Sequence, residues 1–181
     1  MGTLTVITAA SFEPVTLNEA KKALGIETTE DDTRISGYIK AGRQFAEDYC
    51  NILISNTVVE RSYDAWPSQT IGLDVWPLQT IDSVKYDDTA SPVTEQTLVV
   101  NTDYYADIIT EGGRVSTIGG WPSVAVKPKP IRIRMTAGYA TKALVPEQIK
   151  EGIKAYVIYL YDTCPDMEVV SRNILWAERR L

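Results

Sequence analysis

The hydrophobic period of this chain changes twice, and that change limits its fold more than any other feature. Apolar residues fall at helical spacing from 14 to 54, alternate or cluster in short β-branched runs from 57 to 137, and return to helical spacing from 146 onward. Helices come first, strands next and helices last, with no alternation of single strands and helices. That order argues for an α+β fold rather than a parallel doubly wound sheet. The reading is a small helical bundle, built from two N-terminal helices plus C-terminal helices, with an inserted antiparallel β-rich lobe. It assigns 14–54 and 146–181 to the helical core and 57–137 to the β-rich insertion of a single domain spanning 1–181.

The first helix announces its own start. Thr16 is placed to accept from the backbone N–H of Glu19, and Glu19 to reach back to the Thr16 N–H, which is a capping box. Leu17, Ala20, Ala23 and Leu24 make one apolar face, and Gly25 is placed to end the helix in a left-handed conformation. Glu27 to Asp32 form an acidic approach to a second helix, complementing the positive end of its macrodipole. Its stripe is Ile35, Tyr38, Ile39, Phe45, Ala46, Tyr49, Ile52 and Leu53, a run of roughly 22 residues or about 33 Å. Gly42 lies on that stripe, where it costs helix stability and permits close approach of a neighbouring element. Residues 1–13 read as an extended, poorly anchored lead-in.

Thr57 to Tyr63 opens the β-rich part, followed by strand candidates at Ile71 to Val75, Ile81 to Tyr86, Thr97 to Val100, Tyr104 to Ile109 and Arg114 to Ile118. Turn chemistry separates them at Asp87-Asp88 with Ser91-Pro92, at Asn101 to Asp103, and at Glu111-Gly112-Gly113. Pro130 to Thr136 alternates strictly, burying Ile131, Ile133 and Met135 and turning Arg132 and Arg134 to solvent or a partner. Helix resumes at Pro146, a favourable first-turn proline, with Ile149, Ile153, Tyr156, Val157 and Leu160 on its stripe until Pro165 stops it. The tail, Asp166 to Leu181, is amphipathic: Val169, Val170, Ile174, Leu175 and Trp176 against Arg172, Arg179 and Arg180.

Several function classes lack their residues. There is no histidine, which removes the commonest general base and metal ligand together. Cys50 and Cys164 are too few and too far apart for a structural zinc site and read as buried free thiols. No phosphate loop and no Ser-x-x-Lys motif occurs, so neither a cofactor, a metal nor an enzyme activity is expected. The 18 basic residues are scattered among 24 acidic ones, for a net charge of −6, which disfavours sequence-specific DNA binding but suits a surface past which DNA slides. No apolar run approaches the roughly 20 residues of a membrane span. With no basic n-region before the first apolar residues, the expected site of synthesis and use is the cytoplasm.

The acidic pairs Asp31-Asp32, Glu47-Asp48 and Asp87-Asp88 read as a helix N-terminus, a solvated helix face and a turn. Three Trp-Pro dipeptides, at Trp66, Trp76 and Trp121, leave open a sugar-stacking platform beside the simpler account of strand-edge packing. Lys127, Lys129, Arg132 and Arg134 form the only basic cluster.

Order and spacing add a resemblance. Pro14-Val15-Thr16-Leu17-Asn18-Glu19-Ala20-Lys21, Asp31-Asp32 before Ile35, and Ala41-x-Arg43-x-x-x-Glu47-x-Tyr49 resemble the opening helices of tailed-phage head–tail connector proteins, the head-completion adaptors of phages, prophages and gene transfer agents. The likeness continues through Trp66-Pro67, Pro77-Leu78-Gln79-Thr80-Ile81-x-Ser83-Val84-x-Tyr86, Thr136-Ala137-Gly138-Tyr139, Val145 to Lys150 and Tyr159-x-Tyr161. It departs from Thr163-Cys164-Pro165 onward, where members carry a more basic helix end.

The resemblance implies a non-enzymatic virion assembly protein. It would form a homo-oligomeric ring of about twelve subunits beneath the portal, through which DNA passes. Its partners would be other copies of itself, the portal protein, and a tail or stopper protein, with no membrane. Assembly would take place in the host cytoplasm and the product would sit at the head–tail junction. The expected contact surfaces are Arg43, Glu47 and Asp48 on the long helix, Arg132 and Arg134 on the alternating strand, and Arg172, Trp176, Arg179 and Arg180 on the tail. The alternative is a β-rich carbohydrate- or ligand-binding module using the Trp-Pro sites.

Overall fold

Thr16 caps the first helix as its sequence requires. In a computed structural model, which describes residues 2–110 and 112–180, the Glu19 N–H donates to Thr16 Oγ1 at 3.2 Å and the Thr16 N–H donates to Glu19 Oε2 at 2.7 Å. Helix α1, Leu17–Leu24, closes at Gly25 with φ 70°. Helix α2, Asp32–Cys50, is shorter than its stripe, because Asn51 turns left-handed at φ 55° and takes Ile52 and Leu53 out of the helix. Helices α3, Glu147–Asp162, and α4, Pro165–Leu175, complete the set, with a 3₁₀ turn at Trp176–Glu178. Pro146 is the cap before α3 rather than a residue within its first turn, and Pro165 opens α4 once Thr163 has turned left-handed.

The chain divides into two compact units, Met1–Ala9 with Thr57–Gly138, and Ala10–Asn56 with Tyr139–Leu181. Two glycines set the packing of the helical unit. A Cβ at Gly42 would lie 3.1 Å from Ile153 Cγ2, and one at Gly152 would lie 2.6 Å from Leu175 Cγ. Both values are below ordinary van der Waals contact, so a side chain at either position would have to displace Ile153 or Leu175, and glycine lets α2 approach α3, and α3 approach α4, this closely. Ser171 donates to the Gly152 carbonyl at 2.8 Å, a buried bond on the same α3–α4 seam. Ile35, Ile39, Ala46, Cys50, Ile149, Ile153, Val157 and Leu175 are buried. Thus α4 is part of the core, and the tail is not a free amphipathic appendage. Leu181 lies outside the described residues.

In the β unit, β2 (Thr57–Tyr63), β4 (Leu78–Asp87), β5 (Glu95–Leu98) and β8 (Ile131–Ala137) join β1 (Thr3–Val6) in a five-stranded sheet of order β1-β2-β8-β4-β5. Every neighbouring pair is antiparallel. Strands β3 (Thr70–Gly72), β6 (Tyr104–Asp107) and β7 (Arg114–Thr117) form a second sheet of order β3-β7-β6. The alternation in β8 holds: Ile131, Ile133 and Met135 are buried while Arg132 and Arg134 lie on the other face.

Strand β1 corrects the expectation of a poorly anchored lead-in, since it pairs with β2 in the register Thr3↔Ser62 to Val6↔Val59. The β unit therefore draws on chain from both sides of the first two helices. Strand β3 is shorter than expected, and beyond it Leu73 and Val75 donate to the Gly113 and Gly112 carbonyls. Glu111, the first residue of that turn, lies outside the described residues. Among the described residues no helix is long and apolar enough to cross a membrane.

Candidate functional site

Arg43 and Glu47, expected at a contact surface, spend their charges inside the helical unit. One turn apart on α2, they form an ion pair of 2.6 Å, with side chains only 14% and 10% exposed. Arg43 Nε also donates to Glu13 Oε2 at 3.0 Å, and Glu47 Oε1 accepts the N–H of buried Ile54 at 2.9 Å. Burial pushes the Glu47 carboxyl above its ordinary pKa, against the opposing pull of the Ile54 N–H and Arg43. These two residues tie the segment before α1 and the segment after α2 to the middle of α2. Of the expected helix trio only Asp48 is exposed. The pair Glu47-Asp48 is therefore not a uniformly solvated face.

The basic strand is likewise engaged within its own unit. Arg132 donates to both oxygens of Asp87, at 3.0 and 2.7 Å, and to Glu95 at 2.8 Å. Lys127 reaches Asp87 at 2.6 Å and Lys85 reaches Glu95 at 2.7 Å. The Arg132 hydrogen bonds hold the Asp87 carboxyl well below the usual carboxylate range. Arg134 pairs with Glu60 at 3.0 Å and stays half exposed. What reads in sequence as a basic patch is a cross-strand ion-pair network, because the β4/β8 register sets Lys85 opposite Arg132 and Asp87 lies one residue beyond Tyr86↔Ile131. Asp87 is its hub, a role the sequence reading missed by taking it as a turn residue.

On the tail, Arg172 pairs with Glu168 at 2.6 Å. Arg179 lies over the rings of Tyr49 and Trp176, at 5.6 and 5.5 Å from their centroids. The backbone N–H of Arg180 donates to the Cys50 carbonyl at 2.8 Å. Trp176 is 64% exposed, and Val169 and Val170 are exposed beside the buried face of α4. An open groove of about 440 Å³ between α1, α3 and α4 is lined by Ala23, Ala155, Ile158, Met167, Val170 and Ile174.

The indoles of Trp66 and Trp121 stack on each other at 4.3 Å and 9°. Their N–H groups donate to the carbonyls of Pro122 and Ser68. Each ring covers a face of the other, which is packing rather than a platform for a sugar. Among the described residues no acidic, cysteine or histidine group of three is placed to hold a metal ion.

Among the described residues the candidate sites are surfaces, and comparison with known proteins says what the chain is similar to. Residues 14–75 match the family model of the phage gp6-like head–tail connector protein. Over that third of its length the chain is similar to head–tail connector proteins. Likeness of fold to solved structures extends beyond those residues. A chain from the neck of an empty gene transfer agent particle, computed with C6 symmetry, superposes with TM-score 0.80 at 16% identity, covering 99% of this chain and 96% of that one. A chain of the native gene transfer agent virion gives TM-score 0.79 at 15% identity, covering 98% and 95%. A chain from the native particle's neck, computed with C12 symmetry, gives 0.77 at 14% identity, covering 99% and 96%. At these identities the likeness is one of fold. No curated protein matches the chain in sequence. Nothing in these comparisons favours the carbohydrate-binding alternative.

Proposed function

We propose that this chain is a head–tail connector, a non-enzymatic structural adaptor of a virion neck that forms a homo-oligomeric ring at the head–tail junction through which DNA passes. The observation that carries the reading is agreement of fold over 99% of the chain with a neck protein of a gene transfer agent particle, joined to the connector family match over 14–75. Sixfold and twelvefold symmetry belong to those necks, and a closed ring of identical subunits needs two different, complementary surfaces on each copy. The net charge of −6 suits a channel that repels DNA and lets it slide. Portal on one side and a tail or stopper protein on the other are the partners that such a position demands. Assembly in the host cytoplasm precedes its place in the virion. Asp48 and Trp176 remain on accessible surface for such contacts, while Arg43 and Glu47 act within the fold.

The experiment is negative-stain imaging with light scattering of the purified protein, alone and with its portal. Rings that stack coaxially on portal are expected. A protein that stays monomeric alone and does not bind portal overturns the reading.

A further inference from the structure

The five-stranded sheet has two open ends, and their backbone groups match. At one end Ile7 and Thr8 both donate to the Val58 carbonyl, extending the register in which Thr3 faces Ser62 and Thr5 faces Glu60. Antiparallel strands alternate hydrogen-bonded and non-hydrogen-bonded pairs. Thr3 and Thr5 therefore bond to β2, while Leu4 and Val6 turn their N–H and C=O groups to the open edge. At the other end the Asp88 N–H donates to the Thr94 carbonyl, in register with Tyr86↔Gln96 and Val84↔Leu98. Gln96 and Leu98 then bond to β4, and Glu95 and Thr97 present theirs outward. Among the described residues, each edge offers two residues whose ladder groups have no strand partner, spaced two apart.

Neither edge carries the usual protection. Natural edge strands are blunted by lysine, proline or inward charge. All four residues of β1 are exposed, including Leu4 and Val6, and the segment Gly2 to Ala10 contains no charged residue and no proline. At the β5 end the one charge, Glu95, is taken up by Lys85 and Arg132, and Val99 and Val100 stand exposed beside the strand. No charge opposes another strand at either edge.

Parity fixes how two copies would meet. With five strands all antiparallel to their neighbours, β1 and β5 run in the same direction. Rotation by one step of a many-membered ring turns a subunit by a small angle and preserves that direction. We propose that β1 of one copy pairs with β5 of the next, parallel, so that the sheet runs continuously from subunit to subunit. This rests on the ring reading above and names its contact. It is heterologous, as ring closure requires, and main-chain hydrogen bonds supply it. Five strands spaced about 4.8 Å apart give each copy about 24 Å of the circuit.

The test separates this contact from the ring itself. Val6→Pro removes an outward N–H and no bond to β2, a substitution an exposed edge tolerates. The variant is expected to keep the wild-type circular dichroism and to assemble at least about tenfold more weakly by mass photometry with portal present. Direction is read by cysteine pairs in a Cys164→Ser background: Thr3 with Glu95 and Val6 with Leu98 cross-link between subunits if the strands are parallel. Cross-links from Thr3 with Leu98 and from Val6 with Glu95, a dimer joined through Thr3→Cys alone, or rings that form equally well with Val6→Pro overturn the proposal. If Val6→Pro misfolds, the cross-link pattern alone decides. Wild-type protein that never forms rings overturns the ring reading, and this contact with it.

Discussion

Glu47 separates a staple from a contact residue, and two substitutions at one position make the distinction. Its Oε1 accepts the Ile54 N–H at 2.9 Å and its Oε2 meets Arg43 at 2.6 Å, with Ile54 fully buried. In Glu47→Ala the Ile54 donor is left unpaired, which costs about 1–3 kcal/mol. The lost i,i+4 pair adds about 0.3–0.5 kcal/mol, because Arg43 keeps Glu13, and the lost methylene adds about 0.8 kcal/mol. The expected sum is about 2–4 kcal/mol, or roughly 5–15 °C in Tm for a chain of this size. Glu47→Gln keeps an oxygen for Ile54. The raised pKa means that the site as a whole disfavours the charged form relative to water, so the neutral isostere is expected to cost less than alanine does.

The pH sign follows from the same shift. An acid whose folded pKa is raised binds its proton more tightly when folded, so wild-type stability falls as pH rises from the ordinary glutamate value through the raised one. Glu47→Gln lacks that fall. Urea unfolding followed at 222 nm between pH 4 and 8 reads both effects. An alanine variant within about 0.5 kcal/mol of wild type, or a glutamine variant as damaged as alanine, refutes the reasoning.

Other expectations are independent of that site. Leu175→Ala removes a fully buried side chain from the α3–α4 seam and should cost about 2–5 kcal/mol by chemical denaturation, so truncation after Asp166 unfolds the helical unit rather than trimming a tail. Asp88 and Asp107 each accept bonds from a threonine side chain and backbone N–H groups, which lower their pKa values to about 2. Their depressed values mean that the loop bonds are fully present above the ordinary aspartate pKa and are lost as pH falls toward 2. Limited pepsin digestion should then cut first near 88–96 and 107–114. Burial pushes the Cys50 thiol up to about 11, so iodoacetamide at pH 8 should label half-buried Cys164 and spare Cys50 by mass spectrometry.

Local chemistry carried the sequence reading where it succeeded. The Thr16–Glu19 box and Gly25 act over a few residues, and Thr57–Tyr63 and the β8 alternation depend on a period of two that needs no partner to be seen. Gly42 was legible as a close approach, though not that Ile153 is what approaches. Failures share a cause: the deciding partner lies outside the element that the local pattern describes. The alternation Thr3-Leu4-Thr5-Val6 is only four residues long, and pairing with β2 is what makes it a strand. Arg132 looks free until the register brings Asp87 and Glu95 beside it, and Glu47 looks solvated until the chain after α2 folds back onto it. Residue type gave the charges; topology decided which of them remain available to a partner.

Neither unit is a contiguous stretch of chain, and this governs how the protein is made. Strand β1 is synthesised first but cannot pair until β2 has followed two helices later, and Cys50 meets the Leu175 carbonyl across 125 residues. During translation both units therefore wait on distant sequence, a high contact order that slows closure and leaves apolar faces open on the ribosome. Exchange between related genes is constrained in the same way. A segment covering 57–138 transplanted from a relative would arrive without its first strand, leaving β2 bare unless residues 1–9 travel with it.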